Sequence, residues 1–309
     1  MNTQTTSNTL PKVTPGNLSE ISPLILGGAI FNTQYNDDPF GLEIKKLILS
    51  SFENGINAID TSPYYGPSEE LIGKALNELT DEGKIVRENY FICTKVGRIK
   101  LDDFDYSKEW VNKSIHRSLE RFKTAYLDVV FLHDVEFVKE DGIFEALTEL
   151  FELKKQGLVK NVGISGYPVD FLYKTARKVA NGALGDSVKL DLVMNYSNGC
   201  LQNTILAEYY DKFFKDTGIK LLNNASILSM SLLRSAETRS FHPCSKALKD
   251  DVSKLAKILK DDYDTELAEL ATRFALRLWN GKKGKTVLGL STLEELDSAL
   301  LQYNFWVII

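Results

Sequence analysis

The chain has 309 residues, 43% of them hydrophobic and 26% charged, the composition of a soluble globular protein and not of a disordered or collagenous one. Its 37 basic and 42 acidic residues leave a net charge of −5, which speaks against nucleic acid or an anionic membrane as partner. Three widely spaced cysteines, Cys93, Cys200 and Cys244, suggest neither a disulfide framework nor a zinc site and suit a reducing cytoplasm, and no run of about 18 apolar residues marks a membrane span.

Residues 1–20, rich in Thr, Asn and Ser, are expected as a flexible tail with no secretory or transit signal, and residues 21–309 as one domain. A short apolar run at 24–29 reads as a first strand. Residues 39–54 carry apolar side chains at a helical period and stop at Gly55. The same strand-then-helix unit then repeats. Strand 56–60 precedes helix 68–79, strand 90–96 precedes helix 107–123, and strand 126–133 precedes helix 143–156. Strand 159–165 precedes helix 169–180, strand 190–196 precedes helix 203–217, strand 220–225 precedes helix 266–280, and strand 286–290 precedes helix 293–303. Between the seventh strand and its helix lies an insertion, 226–265, with an extra helix at 246–260.

Several of these strands are apolar along most of their length, as in Leu127-Asp-Val-Val-Phe-Leu132, which indicates burial on both faces of a parallel sheet. Eight such units in about 280 residues favour a closed (β/α)8 TIM barrel, an α/β fold, over an open doubly wound sheet. No Gly-x-Gly-x-x-Gly follows the first strand, so a Rossmann site is not signalled.

In such a barrel the chemistry sits at the carboxyl ends of the strands. The second strand ends at Asp60, with Tyr65 on the loop beyond; the third brings Lys95 and the fourth His133. Each has a plain alternative: Asp60 as a turn cap, the tyrosines as cover for apolar surface, Lys95 as a solvated lysine and His133 as a core histidine. Their arrival on successive strands at one mouth favours function. An ammonium beside a phenol lowers its pKa from about 10, and a carboxylate holds the ammonium in place.

Asp60-x4-Tyr65, Lys95 in Phe-Ile-Cys-Thr-Lys-Val and His133 in Val-Phe-Leu-His resemble the catalytic tetrad of the aldo-keto reductases, over about residues 24–300. Asp60-Thr-Ser-Pro-Tyr-Tyr-Gly66, His133-Asp-Val-Glu136 and Asn224-Ala-Ser-Ile-Leu-Ser-Met230 resemble the family's sugar dehydrogenases. The resemblance implies hydride transfer between a nicotinamide and C1 of an aldose such as D-arabinose, L-galactose or L-fucose, giving an aldonolactone. Tyr65 would be the acid/base, Lys95 its tuner, Asp60 the holder of Lys95, and His133 the residue orienting the reacting oxygen. Ser165 matches the serine that binds the carboxamide, while Gly166 stands where an asparagine is common. Val193 aligns with a usual glutamine, Asn195 is the nearest amide, and Ala225 takes the place of a stacking aromatic. Ser226, Leu228 and Ser231 would lend backbone groups to the pyrophosphate. In Val287-Leu-Gly-Leu-Ser-Thr-Leu-Glu-Glu-Leu296, Leu290, Ser291 and Glu295 would lie at the adenosine, with Glu294 beside them. Acidic residues there suit a ribose hydroxyl better than a 2′-phosphate, so NAD is expected over NADP, although the run Lys282-Lys-Gly-Lys285 lies nearby. The same glutamates also suit the first turn of a helix.

The resemblance further implies a small-molecule sugar partner, a monomer or weak oligomer, and no metal. The chain stops at Phe305-Trp-Val-Ile-Ile309, short of the loop that closes over substrate in relatives, so an altered pocket wall is expected. The other readings are a nicotinamide-binding regulatory subunit of a membrane channel, an NADPH-using carbonyl reductase, and a Schiff-base aldolase acting through Lys95.

Overall fold

The computed structural model describes residues 10–307, without the side chains of 305–307. Eight strands close into a parallel barrel: β1 (Leu24–Gly27), β2 (Ala58–Asp60), β3 (Phe91–Val96), β6 (Leu127–His133), β7 (Val159–Gly166), β8 (Leu192–Tyr196), β9 (Leu221–Ala225) and β10 (Thr286–Gly289). Each pairs with the next in sequence, and β10 pairs back onto β1, with Leu24 opposite Thr286 and Gly27 opposite Gly289. After β3 the chain forms a small antiparallel hairpin, β4 (Arg98–Lys100) and β5 (Asp103–Phe104), which the apolar pattern did not reveal because both strands are short and polar.

The alternation within each strand separates two cores. Ile25, Ala58, Phe91, Cys93, Val129, Phe131, Leu192, Met194 and Val287 point inward and fill the barrel. Residues of the opposite parity, such as Leu26, Ile92, Val130, Leu132, Val162 and Ile164, meet the helices outside. Those helices are α1 (Ile44–Glu53), α2 (Ser68–Asp81), α3 (Lys108–Phe122), α4 (Glu140–Lys155), α5 (Val169–Lys178), α6 (Ile205–Thr217), α7 (Lys246–Tyr263), α8 (Leu267–Trp279) and α9 (Leu293–Val307). Of these α7 is the extra helix expected in the insertion, and Ala256 is its buried residue.

The amino-terminal tail is shorter than composition suggests. Leu18 and Ile21 are buried against the barrel's inner core, and the Gly16 amide donates to Asp128 Oδ1 at 3.0 Å. Asp128 Oδ2 accepts from Arg87 at 2.6 Å and from the Ile92 amide at 2.9 Å, so the segment from residue 10 to 22 seals the amino-terminal floor of the barrel. The sequence signal was masked because two apolar anchors sit among Thr, Asn and Ser. Residues 1–9 lie outside the described residues.

Near the mouth, Glu69 in the first turn of α2 accepts from Thr94 Oγ1 (2.7 Å), Ser118 Oγ (2.8 Å) and Arg121 (2.9 Å), tying β3, α2 and α3 together. One turn on, Gly73 allows the close approach of α3: a Cβ there would lie 2.2 Å from the Arg121 carbonyl oxygen. Gly73→Ala must therefore push backbone against backbone. The expected cost is about 1–3 kcal/mol of overpacking, read as a lower urea midpoint with an unchanged m-value.

Candidate active site

Asp60, Lys95 and His133 end three neighbouring strands and are 4%, 2% and 5% exposed. Lys95 Nζ donates to Asp60 Oδ1 at 2.5 Å and to the Thr61 carbonyl at 3.0 Å. Burial works against the Lys95 charge, but the Asp60 carboxylate and the Tyr65 hydroxyl outweigh it and hold Lys95 firmly protonated. Burial also pushes the Asp60 carboxyl up, and Lys95 draws it back, so the pair stands as an ion pair.

Tyr65 follows on the turn Thr61–Pro67, and its ring lies 4.8 Å from Lys95 Nζ and 5.6 Å from the His133 ring, edge to face. Sequence reasoning had Lys95 bringing this phenol down. Burial is the larger influence and pushes Tyr65 above its ordinary value; Lys95 does pull it down, as expected, and Asp60 and Asp134 raise it again. The ammonium is shared with Asp60, so its pull does not offset desolvation. Tyr65 is a neutral phenol at pH 7.

His133 is neutral as well. Burial first, and then the charges of Lys95 and Arg98, hold it well below the usual histidine value. Its Nδ1 lies 3.0 Å from Ser62 Oγ, which already accepts from the Tyr64 amide at 3.1 Å. If the Ser62 hydroxyl gives its proton to Nδ1, the ring N–H is on Nε2, which lies 3.7 Å from Asp134 Oδ2. The end of β6 is fixed from behind by Tyr106, whose hydroxyl donates to the His133 carbonyl at 2.8 Å. Gly97, at φ +104°, makes room for that ring, since a Cβ there would sit 2.2 Å from it.

Beside the tetrad, Arg98 from the hairpin pairs with Asp134 and stacks 4.1 Å over the Tyr64 ring. Glu136 accepts from the Tyr167 amide at 2.7 Å, and burial, with Asp134 adding to it, pushes its carboxyl up to about 7. Ser62, Arg98, Asp134, Tyr106 and Glu136 are the functional neighbours that sequence reasoning did not assign. The phrases Asp60-Thr-Ser-Pro-Tyr-Tyr-Gly66 and His133-Asp-Val-Glu136 contained three of them, Ser62, Asp134 and Glu136.

The residues expected to hold a cofactor share the same end of the barrel but occupy the other arc, β7 to β10. Ser165 Oγ donates to the Leu132 carbonyl at 3.1 Å, and Asn195 sits on β8 opposite Gly166. Val193 is fully buried in the outer core and so faces away from the mouth. After β9 comes the loop of Ser226, Leu228 and Ser231. Ser226 Oγ accepts from the Met230 amide, and Ser229, Met230 and Ser231 all take positive φ, 47°, 48° and 79°. Three consecutive non-glycine residues in that region represent strain held by the surrounding fold, of the kind that curls backbone amides around an anion. After β10, Leu290 is buried, and Glu295 Oε2 accepts from both the Ser291 amide (2.6 Å) and its hydroxyl (2.8 Å). The strained loop and the buried, donorless Oδ1 of Asn195 fit a nicotinamide dinucleotide laid along this arc. Among the described residues there is no cluster of His, Cys, Asp and Glu that could hold a metal, and no helix long and apolar enough to cross a membrane.

Comparison with known proteins agrees with this architecture. The family model described as "Aldo/keto reductase family" matches residues 23–308. The chain is 51% identical to D-arabinose 1-dehydrogenase of Saccharomyces cerevisiae over 95% of its length and 86% of that protein's. It is 32% identical to L-galactose dehydrogenase of Arabidopsis thaliana, covering 89% and 80% of the two chains. A solved aldo-keto reductase chain from Pseudomonas aeruginosa, 22% identical, shares the fold with a TM-score of 0.62 over 96% of this chain and 98% of that one. The chain belongs to the aldo-keto reductase family, the oxidoreductases of the closed (β/α)8 barrel that work with a nicotinamide cofactor.

Proposed function

We propose that this chain is an NAD-dependent aldose 1-dehydrogenase that oxidises D-arabinose, and related sugars such as L-galactose or L-fucose, to the aldonolactone. The observation that carries the reading is the contact set of Tyr65, Lys95, Asp60 and His133 in one mouth, in a chain 51% identical to a D-arabinose 1-dehydrogenase. It acts on a free sugar in the cytoplasm, as a monomer or weak oligomer.

A bound oxidised nicotinamide would supply the hydride acceptor and a further positive charge in the mouth. The chain's own residues do the rest. His133 Nε2–H donates to the sugar's C1 oxygen and fixes its direction. Tyr65 takes the hydroxyl proton as the C1–H bond breaks, and Lys95, held by Asp60, stabilises the phenolate that accepts it. In the reverse direction the neutral phenol gives its proton to the carbonyl oxygen.

The test is absorbance at 340 nm with NAD and each of D-arabinose, L-galactose, L-fucose and D-xylose. A rise with one of the first three is expected, and silence with all of them while the dinucleotide binds would sink the dehydrogenase. Tyr65→Phe should lower kcat by at least roughly a hundredfold and leave NAD affinity within about twofold, the loss of a general acid/base. Equal loss of both would mark Tyr65 as structural.

Because burial raises Tyr65, and oxidation needs its deprotonated form, log(kcat/KM) for sugar oxidation should climb with pH from neutrality into the alkaline range. The neutral His133 should add no inflection near 6.5. A bell centred near 6.5 would assign the base to a histidine.

Cofactor choice rests on Glu295. Its carboxylate, pinned to Ser291, would repel a 2′-phosphate. Glu295→Gln is expected to raise kcat/KM with NADP relative to NAD by about tenfold, and an unchanged ratio would remove Glu295 from the discrimination.

A further inference from the structure

At the ends of β7 and β8 two acceptor oxygens have no donor. Glu136, in the helical turn Val135–Phe137 after β6, uses Oε1 to accept from the Tyr167 amide at 2.7 Å, while its Oε2 is buried without a partner. Asn195 spends its amide nitrogen on the Gly166 and Tyr167 carbonyls, at 2.9 and 2.7 Å, and its Oδ1 is likewise buried and unpaired. Both side chains therefore border the same two residues, and Asn195 is the register partner of Gly166. Gly166 makes this possible: a Cβ there would lie 2.1 Å from Glu136 Oε2, so the carboxyl fills the volume that any side chain at 166 would need.

Ser197 Oγ, two residues beyond Asn195, is also buried without a partner, whereas the donors of Arg98 and Tyr106 are committed elsewhere. The three nitrogens of Arg98 go to Asp134, to the Lys100 carbonyl and to the Leu101 carbonyl, and the Tyr106 hydroxyl goes to the His133 carbonyl. Buried acceptors ordinarily have a donor, so two unpartnered ones on side chains that both border Gly166 and Tyr167 are an exception. A primary amide removes the exception in one step, since its single nitrogen carries two N–H donors. Ser165, next to Gly166, ends the same strand on the tetrad's side and carries a hydroxyl for the amide's oxygen.

We propose that Glu136 Oε2 and Asn195 Oδ1 accept the two N–H bonds of the carboxamide on the nicotinamide ring, making Glu136 the residue that orients the ring over the tetrad. This rests on the nicotinamide reading above and deepens it. Glu136 takes over, from the end of β6, a task that a side chain on β7 would otherwise perform at position 166.

Isothermal titration calorimetry with three probes tests it: NAD, its 3-acetylpyridine analogue, which has a methyl in place of the amide nitrogen, and ADP-ribose, which lacks the ring. At about pH 8.5, where the Glu136 carboxyl is ionised, the unmodified chain should bind the analogue about tenfold more weakly than NAD, the loss of a charge-assisted hydrogen bond. Glu136→Ala should bring the two within about twofold by weakening NAD alone, with ADP-ribose affinity unchanged. Glu136→Gln, which keeps the size and the acceptor for Tyr167 but turns an N–H toward the amide, should do the same. If both variants keep the tenfold discrimination, or lose ADP-ribose in step with NAD, Glu136 is not the carboxamide's partner. If the unmodified chain binds NAD and ADP-ribose but does not discriminate against the analogue, this inference alone fails. If it binds neither, the nicotinamide reading fails with it.

Discussion

The Asp60–Lys95 ion pair is the constraint on which the site depends. Two unit charges removed from water at the end of a barrel carry a desolvation penalty of several kcal/mol each, and their attraction offsets it only when geometry is tight and further hydrogen bonds complete the shell. Around Lys95 that shell is the Thr61 carbonyl and the Tyr65 hydroxyl, while Asp60 Oδ2 is buried without a hydrogen-bond partner. The pair thus dictates where the turn after β2 must run, and the turn brings Tyr65 and Ser62 to the mouth. A contact that is poor as a source of stability becomes a device for placing a phenol and an imidazole within reach of the same atom.

The site divides by strand. β2, β3 and β6 carry Asp60, Lys95 and His133, the groups proposed for proton chemistry, and β7 to β10 form a long shelf suited to a dinucleotide. Glu136 crosses that division. It leaves β6 three residues after His133, yet its carboxyl lies against Gly166 on β7. His133, proposed to orient the reacting oxygen, and Glu136, proposed to orient the ring, are therefore set by one short stretch of backbone, held from behind by Tyr106.

The strands were legible because burial on both faces writes a continuous apolar run, and the helix limits because their ends carry caps. Ser107 accepts from the Trp110 amide at the start of α3, and Gly218, at φ +70°, closes α6. The tetrad was legible because Asp60, Lys95 and His133 lie at the carboxyl ends of successive strands and Tyr65 on the turn after the first of them. What escaped was decided in three dimensions. The β4–β5 hairpin has no apolar period, so nothing in the pattern drew attention to Arg98. The net direction of the Tyr65 shift is a contest between burial and charge that residue types cannot weigh. Glu136 and Gly166 stand thirty residues apart, and the glycine read as a gap in the cofactor clamp until the carboxyl was found occupying it.

β6 does two unrelated jobs along its length. Near its start, Asp128 closes the floor through Gly16, Arg87 and the Ile92 amide; at its end, His133 faces the mouth. Between them lie Val129, Val130, Phe131 and Leu132, all fully buried, which insulate one end from the other. Substitutions around the mouth can therefore shift its specificity over generations without loosening the floor. The same barrel is a frame in which substrate taste evolves while foldability is inherited unchanged.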